Sequence, residues 1–404
     1  MRICFVASSF PKHPADGSAR FIRSMAEALV DRGHTVDVLI PYRADLELPK
    51  VDKIGVKAFC YVWPSSLAIM GYSEAMLNDT SLVPISYALA PLFAINEARA
   101  ILSLHLRHHY DLVHGHWVIP NGAVAAIVSA LIRKPLVISL HGSDVFFAMR
   151  KPMLGKIARW SITRAVAVTA CSAEIAACAR QLGARDDKVH LFPWGADPTQ
   201  FTLERSAARV ALNLNADVSI ILSLGRLVKK KGLNILLQAL PSVFARVQNT
   251  CCVIAGSGPE LEPLRAQAVS LGIDDRVHFM GAVNWDQAPA LLAACDVFVA
   301  PSIHDENGNV DGLPTTVLEA MAAGRPVIAS QVAGMELVVQ PWKTGILTPE
   351  YDDMALADAL TVVLTQPRLK KLLGDNARRA VEDKFNWGDV AARFEQIYEQ
   401  SHRP

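Results

Sequence analysis

The sequence has few features that point to a metal centre or a disulfide framework, and it carries almost no net charge. Its seven cysteines are scattered, mostly in apolar runs, and their spacing matches neither a metal site nor a set of disulfides. We therefore expect reduced thiols and a cytoplasmic location. Lys and Arg number 40 and Asp and Glu 39, which leaves a net charge of +1. This balance argues against nucleic acid as a partner, and any anion site must be local.

The sequence also lacks a hydrophobic run long enough to cross a membrane. Such a helix needs about 20 predominantly apolar residues. The two longest uncharged runs, 80–96 and 112–132, are interrupted by proline, glycine or histidine. The N-terminus begins with an apolar strand and shows no signal-peptide pattern. We expect a cytoplasmic protein, and peripheral contact with the inner face of the membrane stays open.

The segment 299–330 concentrates carboxylates and a helix start between two apolar strands. β-branched runs flank a polar loop and a helix predicted over 313–323. Pro314 has the φ favoured in a first helical turn, so the next backbone N–H groups form a ready site for a phosphate or another anion. Asp311 and Glu319 stand eight residues apart around this start. Glu319 must be paired or face a polar cleft, because burying a lone carboxylate is costly; an ordinary surface or salt-bridged Glu is the alternative.

The chain as a whole alternates β-branched runs with helical patterns. This alternation predicts an α/β fold with mostly parallel sheets and ligands at the carboxyl ends of the strands. Strands are expected at 3–7, 35–40, 112–113, 136–140, 165–171, 189–192, 220–224, 252–255, 277–280, 297–300 and 327–329. Two prolines and a glycine interrupt both patterns at 193–198, so we place a domain boundary near Gly195. The length of 404 residues favours two domains.

Two loops of the first half fall at predicted strand ends. Gly17 and Ser18 follow the first strand, where a glycine lets the backbone approach a diphosphate; a simple turn requirement explains this glycine equally well. His141 follows the strand 136–140 and is placed to face a cleft, whereas a histidine that bonds its own turn is the alternative. His114 and His116 resemble a metal pair without a third ligand, so we expect acceptor-side or structural roles.

Two loops of the second half also follow predicted strands. Arg226 and Lys231 enclose a lysine run after the strand 220–224. A charge run is usually solvated surface, but Arg provides a planar fork and Lys a point charge, which together suit a diphosphate. Gly256 opens a Gly-x-Gly turn after the strand 252–255. This turn is only weak evidence for a dinucleotide site, because the third glycine and the ribose carboxylate are missing.

Together these motifs resemble the retaining glycosyltransferases of family 4, which have the GT-B fold. The stretch GLPTTVLEAMAAGRPVIAS matches that family's E-x7-E signature nearly residue for residue, although the first Glu is Asp311 here. The resemblance covers essentially the whole chain and is stronger in the second half. It implies two Rossmann-like domains that face each other across a cleft. The acceptor-side domain spans 1–195 and includes an irregular region at 41–104, the nucleotide-sugar domain spans 196–384, and a last helix at 385–404 crosses back onto the first domain.

The resemblance also implies roles for individual residues. His141, Asp311 and Glu319 are the implied catalytic residues, with His141 against the donor sugar and Glu319 on its hydroxyls. Arg226 and Lys231 are implied to hold the diphosphate of the donor. Further donor contacts are implied at Gly17, Ser18, Gly256, Val283, Leu313 and Thr315. The shorter side chain of Asp311 leaves the identity of the sugar open.

The implied activity is that of a hexosyltransferase in glycan or polysaccharide biosynthesis. It moves a sugar from a UDP-sugar or GDP-sugar to a hydroxyl of a glycan, a lipid-linked glycan or a small molecule, with retention of configuration. Because the sequence contains no Asp-x-Asp motif, the usual carboxylate clamp for a diphosphate-bound Mg²⁺ is missing. We therefore expect no metal and no other cofactor. A nucleotide-sugar epimerase, a phosphorylase on the same fold and a non-catalytic binding protein are the alternatives.

Overall fold

The computed structural model describes residues 1–47, 54–72, 74–78, 81–212, 215 and 217–401. By its internal contacts the chain divides into two compact units. Unit 1 consists of Met1–Phe192 and Trp387–Pro404, and unit 2 consists of Pro193–Asn386. The sequence places these divisions near Gly195 and residue 385. Part of the predicted acceptor-side region, at 48–53, 73 and 79–80, lies outside the described residues.

Unit 1 is built on a seven-stranded parallel sheet with helices on its faces. The strand order is β3-β2-β1-β6-β7-β8-β9, and β4 and β5 form a separate antiparallel pair. The strands are β1 (Arg2–Val6), β2 (Thr35–Pro41), β3 (Gly55–Phe59), β4 (Met76–Asn78), β5 (Ser81–Leu82), β6 (Leu112–His116), β7 (Leu136–Ser139), β8 (Ala167–Ala170) and β9 (Val189–Leu191). The helices are α1 (Arg20–Asp31), α2 (Ile85–His108), α3 (Ala123–Ile132), α4 (Ser143–Arg150), α5 (Pro152–Arg164), α6 (Ala173–Gln181) and, from the end of the chain, α14 (Trp387–Gln400).

Unit 2 is built on a six-stranded parallel sheet of order β12-β11-β10-β13-β14-β15. Its strands are β10 (Ser219–Leu224), β11 (Thr250–Ala255), β12 (Val277–Gly281), β13 (Val297–Ala300), β14 (Val327–Ser330) and β15 (Gly345–Thr348). Its helices are α7 (Arg205–Ala211), α8 (Leu233–Arg246), α9 (Leu261–Ser270), α10 (Ala288–Ala294), α11 (Thr315–Ala322), α12 (Asp353–Thr365) and α13 (Pro367–Lys384). The predicted fold class, α/β with two parallel-sheet units, is confirmed. No described helix combines the length and apolar composition that crossing a bilayer requires.

Both sheets reverse their strand order in the middle. The reversal lies between β1 and β6 in unit 1 and between β10 and β13 in unit 2. Crossover connections on the two sides of such a point lead to opposite faces of the sheet, which opens a crevice beyond the carboxyl ends of the two central strands. The central strands are buried on both faces and therefore consist of continuous apolar runs, as in Ile3–Val6 of β1. Each unit thus has one preferred place for a ligand.

The final helix, α14, packs against unit 1. Tyr398 lies in its last turn, is fully buried, and its hydroxyl is 2.7 Å from Nδ1 of His114 on β6. Phe394 packs edge-on against Phe192, with ring centroids 5.0 Å apart. On the same helix, Glu395 accepts hydrogen bonds from Arg32 just beyond α1. The chain therefore enters unit 2 after β9 and returns to unit 1 only for its last helix.

A buried charge cluster joins the start of β13 to the surrounding elements of unit 2. The carboxylate of Asp296 accepts hydrogen bonds from Arg209 at 2.7 Å, from Lys370 at 2.8 Å and from the backbone N–H of Ile220 at 2.9 Å. Arg209 is only 2% exposed, and its guanidinium also donates to the backbone carbonyls of Ala294 and Val218. Burial alone would raise the pKa of Asp296, but its contacts with Lys370 and its other neighbours outweigh burial and lower it.

We predict that Asp296→Ala lowers the free energy of unfolding by about 3 to 5 kcal/mol, because it leaves the cation of Arg209 buried without its anion. Urea denaturation at pH 7 measures the loss. Because the folded-state pKa is lowered, the contribution of Asp296 is complete above the unfolded pKa of about 3.9 and disappears as the pH falls through the folded value. Asp358→Ala is the control, since Asp358 pairs with Arg246 on the surface and such pairs contribute about 0 to 1 kcal/mol. Equal effects of the two substitutions would contradict the prediction.

Candidate functional site

Unit 2 contains a cavity at its switch point, which is the place where the order of the strands in its sheet reverses. It lies at the carboxyl ends of β10 and β13, where the strand order reverses. Cationic, hydroxyl and backbone groups line it together with apolar strand residues. The polar and turn residues of the lining include Gly225, Arg226, Lys231, Ser302, Pro314 and Thr316. The lysine-rich loop after β10 and the start of α11 therefore meet at this cavity.

Glycine at two positions lets the loops around this cavity approach each other. A Cβ on Gly256 would stand 1.8 Å from the carbonyl oxygen of Gly225, and φ at Gly256 is +146°. A Cβ on Gly232, before α8, would likewise stand 1.8 Å from the carbonyl oxygen of Pro301, with φ at +63°. At these two glycines, the loop after β10 lies very close to the loops after β11 and β13. Packing of the cavity wall therefore accounts for Gly256, which lies outside the lining itself.

Each of the three consecutive lysines in this loop pairs with an acid of the loop between β13 and α11. Lys229 contacts Glu306 at 2.8 Å, and both side chains are exposed. Lys231 Nζ is 2.6 Å from one carboxylate oxygen of Asp311, and Lys230 Nζ is 3.4 Å from the other. Lys230 is 4% exposed and Asp311 is 9% exposed. Lys230 and Lys231 are thus paired with the buried Asp311, whereas Lys229 stays at the surface.

The carboxylate of Asp311 is ionised in this setting. Burial would raise its pKa, but the charges of Lys231 and Lys230, with a smaller contribution from Arg226, outweigh burial and lower the pKa to about 2. An anion between two ammonium groups is favoured in this way because each opposite charge stabilises the ionised form. In this structure the carboxylate of Asp311 therefore supplies the negative charge that neutralises Lys230 and Lys231.

The motif helix, α11, begins at Thr315 and presents its N-terminus to the cavity. Pro314 is its extended N-cap residue and makes no side-chain hydrogen bond to the helix start. The helix therefore begins two residues later than the sequence predicts, because Pro314 stands before its first turn. Thr316 lines the cavity. The first N–H groups of such a helix carry partial positive charge and bind anions.

The remaining predicted residues of unit 2 surround this arrangement. Glu319 lies one turn into α11 and is 7% exposed, and Leu313 is 5% exposed. Thr315 is the first residue of α11 and is partly exposed. Val283 follows β12, two strands away from the cavity, and is outside its lining. Of the predicted residues, Arg226 and Lys231 are therefore the ones that line the cavity, and Asp311 joins them through its ion pairs.

Ser302 and Lys230 are two residues of this site that were not predicted from the sequence. Ser302 lines the cavity at the end of β13 and is 1% exposed, and its Oγ has no hydrogen-bond partner among the described residues. A buried polar group without a partner costs about 1 to 3 kcal/mol, so a ligand atom in the cavity would satisfy it. A lone serine gives no sequence signal. Lys230 was missed because a run of lysines is normally solvated.

The corresponding edge of unit 1 holds the loop after β1. The carboxylate of Asp16 accepts hydrogen bonds from the backbone N–H and the hydroxyl of Ser18, at 3.0 and 2.8 Å, and from the backbone N–H of Lys12 at 2.8 Å. A Cβ on Gly17 would meet nothing within 4 Å, and its φ lies outside the left-handed region. The turn itself therefore does not require this glycine, and open space lies beside it.

The loop after β7 holds His141 in a turn that Asp144 organises. The carboxylate of Asp144 accepts hydrogen bonds from the backbone N–H groups of His141, Gly142 and Val118, at 3.1, 3.0 and 2.7 Å. Asp144 therefore caps the turn and ties the β7 loop to the loop after β6.

The imidazole of His141 packs among aromatic rings. Its centroid is 4.5 Å from that of Trp117, 5.1 Å from that of Phe21 and 5.5 Å from that of His116. Burial, followed by repulsion from His116, lowers the pKa of His141 well below its ordinary value. His141 is therefore neutral at pH 7. A neutral imidazole offers one donor and one acceptor nitrogen.

His114 and His116 have structural positions in unit 1. The two rings stack with centroids 4.3 Å apart, and both are fully buried. His114 lies between the hydroxyls of Tyr398 and Ser139, each 2.7 Å from a ring nitrogen. Burial lowers the pKa of His116 to about 3. Among the described residues no cluster of three metal-ligating side chains exists. Of the two roles that the sequence left open, the structure favours the structural one for His114.

Comparison with known proteins agrees with this geometry. Residues 15–200 match the family described as Glycosyltransferase Family 4, and residues 204–380 match the family described as Glycosyl transferases group 1. An uncharacterized glycosyltransferase of Methanocaldococcus jannaschii is 26% identical over 413 residues, which cover 98% of each chain. A GDP-mannose-dependent alpha-(1-6)-phosphatidylinositol monomannoside mannosyltransferase of Mycobacterium tuberculosis is 36% identical over 206 residues, 50% of this chain and 53% of that protein.

A solved structure shares the fold over the full length. The Anabaena protein HepE, in complex with UDP and glucose, superimposes with a TM-score of 0.76 over 99% of each chain, at 21% sequence identity. This likeness identifies the two Rossmann-like units as those of a GT-B fold. The two family matches together extend over most of the chain, from residue 15 to residue 380. The chain is therefore a glycosyltransferase of the family 4 type.

Proposed function

We propose that this glycosyltransferase moves a hexose from a nucleoside diphosphate sugar to an acceptor hydroxyl, with retention of configuration and without a metal or another cofactor. The observation that carries the proposal is the cavity at the switch point of unit 2. There Arg226 and Lys231 stand beside the N-terminus of α11, and the buried hydroxyl of Ser302 lacks a partner in the described part of the chain. This combination suits a diphosphate, which needs several cationic and N–H donors in one place.

The protein cations supply what a metal supplies in other transferases. As the bond between the anomeric carbon and the diphosphate breaks, negative charge develops on the departing oxygen. Arg226, Lys231 and the helix start stabilise that charge. The new bond from the acceptor oxygen forms on the face that the diphosphate leaves, and the acceptor proton passes to a phosphate oxygen. Configuration is retained without a covalent intermediate on the protein.

Asp311 and Glu319 have separate proposed roles at the donor. While the cavity holds no donor, Asp311 neutralises Lys231. When the diphosphate takes Lys231, the buried ammonium of Lys230 continues to hold Asp311 ionised, and the carboxylate becomes available to a sugar hydroxyl. Glu319, inside α11, accepts hydrogen bonds from other hydroxyls of the sugar. In unit 1, the open space beside Gly17 and the neutral imidazole of His141 serve the sugar and its acceptor.

The names of the similar proteins support a nucleoside diphosphate sugar as donor. The mycobacterial relative is GDP-mannose-dependent, and HepE was solved with UDP and glucose. We accordingly propose a UDP-sugar or GDP-sugar as donor and a glycan, lipid-linked glycan or small-molecule hydroxyl as acceptor, in glycan or polysaccharide biosynthesis. All seven cysteines are free thiols, which supports the proposed cytoplasmic location because disulfides are rare there.

Turnover with a panel of UDP-sugars and GDP-sugars tests the proposal directly. We expect sugar transfer only when a hydroxyl acceptor is added, with NMR showing the anomeric configuration of the donor in the product. We also expect the rate to survive excess EDTA, because protein cations neutralise the diphosphate. Activity that EDTA abolishes and Mg²⁺ or Mn²⁺ restores would overturn metal independence. Conversion of the donor alone would identify an epimerase, and transfer from a glycoside to inorganic phosphate a phosphorylase.

Arg226→Ala and Lys231→Ala should each weaken binding of the donor and of the free nucleoside diphosphate by tens-fold. Each removes one charge-assisted contact of about 1.5 to 3 kcal/mol. Isothermal titration calorimetry measures both affinities. Lys229→Ala is the matched control from the same lysine run, since its exposed pair with Glu306 lies outside the cavity lining, and we expect wild-type affinity. The diphosphate assignment fails if Lys231→Ala and Lys229→Ala bind the nucleoside diphosphate equally well.

His141→Ala should lower kcat by about 10²-fold while donor affinity changes little, the magnitude expected for one lost polar group that acts mainly in the transition state. Since the pKa of His141 is lowered well below 6.5, we also expect no loss of wild-type activity from protonation of this residue between pH 6 and 8. His278→Ala, at an exposed position on β12, is the control. A variant at position 141 that melts earlier but keeps its kcat would show that the imidazole only stabilises the loop.

A further inference from the structure

Three helices on unit 1 present an apolar outer surface. α2 packs against α3, and α3 packs against α5. Their outward side chains include large apolar residues that are between 37% and 73% exposed, and we call this set the apolar face: Leu92, Ile95, Ile127, Leu131, Met153, Ile157 and Trp160. Single exposed apolar residues are normal, but several on adjoining helices mark an interaction surface. The donor site described above is in unit 2 and does not use this face.

The helix α5 has a buried face and, in addition, a stripe of exposed apolar residues. Its inner face consists of Ala158, Ser161 and Ile162, which are buried against unit 1. Met153, Ile157 and Trp160 follow one another at intervals of four and three residues, so they form one stripe that adjoins the buried face. Met153 is 73% exposed. Unit 1 therefore leaves Met153 largely uncovered, and it leaves Ile157 and Trp160 partly uncovered.

The segment of the chain that contains these three helices has an excess of positive charge. Residues 83–173 contain nine Lys or Arg and only three Asp or Glu, although the whole chain is balanced. Of the three acids, Glu97 and Asp144 are buried, and Asp111 accepts a hydrogen bond from the backbone N–H of Arg2, before β6. No acid of α2, α3 or α5 is exposed among the described residues. The nine cations are Arg99, Arg107, Arg133, Lys134, Arg150, Lys151, Lys156, Arg159 and Arg164.

The cations of α5 flank its apolar stripe. Lys156 and Arg159 are exposed neighbours of Ile157 and Trp160. The guanidinium of Arg164 stands 4.6 Å from the centroid of the Trp160 ring, a cation–π contact that keeps a charge beside an aromatic side chain. Long cationic side chains and tryptophan both suit the boundary between water and lipid, since each has an apolar body and a polar tip.

We propose that the apolar face of unit 1 binds the surface of an anionic phospholipid bilayer. An amphipathic surface lies in the plane of the interface when apolar burial and attraction to anionic lipids act together, and each Lys or Arg near the surface adds to the attraction. A protein partner would ordinarily be matched by charges of both signs, whereas this face lacks exposed acids. The contact would place unit 1 next to the source of a lipid-linked acceptor.

Vesicle sedimentation without any nucleotide or acceptor tests the proposal on the full-length protein. The probes are large unilamellar vesicles of phosphatidylcholine alone, and of phosphatidylcholine with about one third phosphatidylglycerol. We expect the wild-type protein to sediment with the anionic vesicles at least tenfold more strongly, and to be released as NaCl rises from about 0.1 to 0.5 M, because the Debye length shortens. Equal binding to both vesicles, or no binding to either, would overturn the proposal.

Two double variants separate the two contributions to binding. Met153→Ser/Trp160→Ser removes apolar tips, and Lys156→Glu/Arg159→Glu reverses two charges; we expect each to lower anionic-vesicle binding at least tenfold without changing the melting temperature. The matched controls are Met354→Ser, which is also 73% exposed, and Arg368→Glu/Lys384→Glu on α13 of unit 2.

The outcomes of this comparison are distinct. Retained vesicle binding in both double variants, or equal losses in the controls, would refute the assignment of the face. Sedimentation velocity that shows a dimer of the wild-type protein but a monomer of the double variants would assign the face to a second copy of the chain instead. Because the vesicle assay contains no donor, its failure leaves the proposed sugar transfer untouched, and the turnover assay leaves the vesicle result untouched.

Discussion

The site depends on one constraint of parallel sheets, namely that every connection between neighbouring strands must cross over one face. In unit 2 the first strand, β10, is central, and the chain builds outwards from it in both directions. The connections on the two sides then lie on opposite faces, which opens a crevice at the carboxyl ends of β10 and β13. The lysine loop follows the first of these strands and the acidic loop follows the second. Their residues meet although 80 positions separate Lys231 from Asp311.

Much of this arrangement is local enough to be predicted from the sequence. Buried parallel strands are short runs of β-branched residues, so nearly all central strands were found, and the start of α11 was placed within two residues because Pro314 marks it. The edge strands β3 and β15 were missed. In β3, Gly55–Phe59 mixes exposed and buried positions, so its composition differs little from that of a loop. β15 is mostly buried, but it is only four residues long and begins with a glycine.

The roles of individual polar side chains were harder to predict, because they depend on partners far away in the chain. The run of three lysines has one composition but three environments: Lys229 is exposed, Lys231 lines the cavity, and Lys230 is buried. Asp144 caps its own turn, yet it also accepts a hydrogen bond from the backbone N–H of Val118, 26 residues earlier. His114 was recognised only as one of a pair, since its partner Tyr398 lies at the other end of the sequence.

The ion pair between Lys231 and Asp311 has a consequence for the exchange of ligands. The carboxylate is attached to the protein beside the cation, so it acts as a tethered competitor for any anion that enters. In the proposed function, a diphosphate that contacts Lys231 competes with Asp311 for this cation, so the ion pair lowers the net affinity for the diphosphate. After transfer of the sugar, return of the carboxylate to the lysine would favour departure of the spent nucleotide. Under that proposal the same ion pair would limit product inhibition and help to empty the cavity for the next cycle.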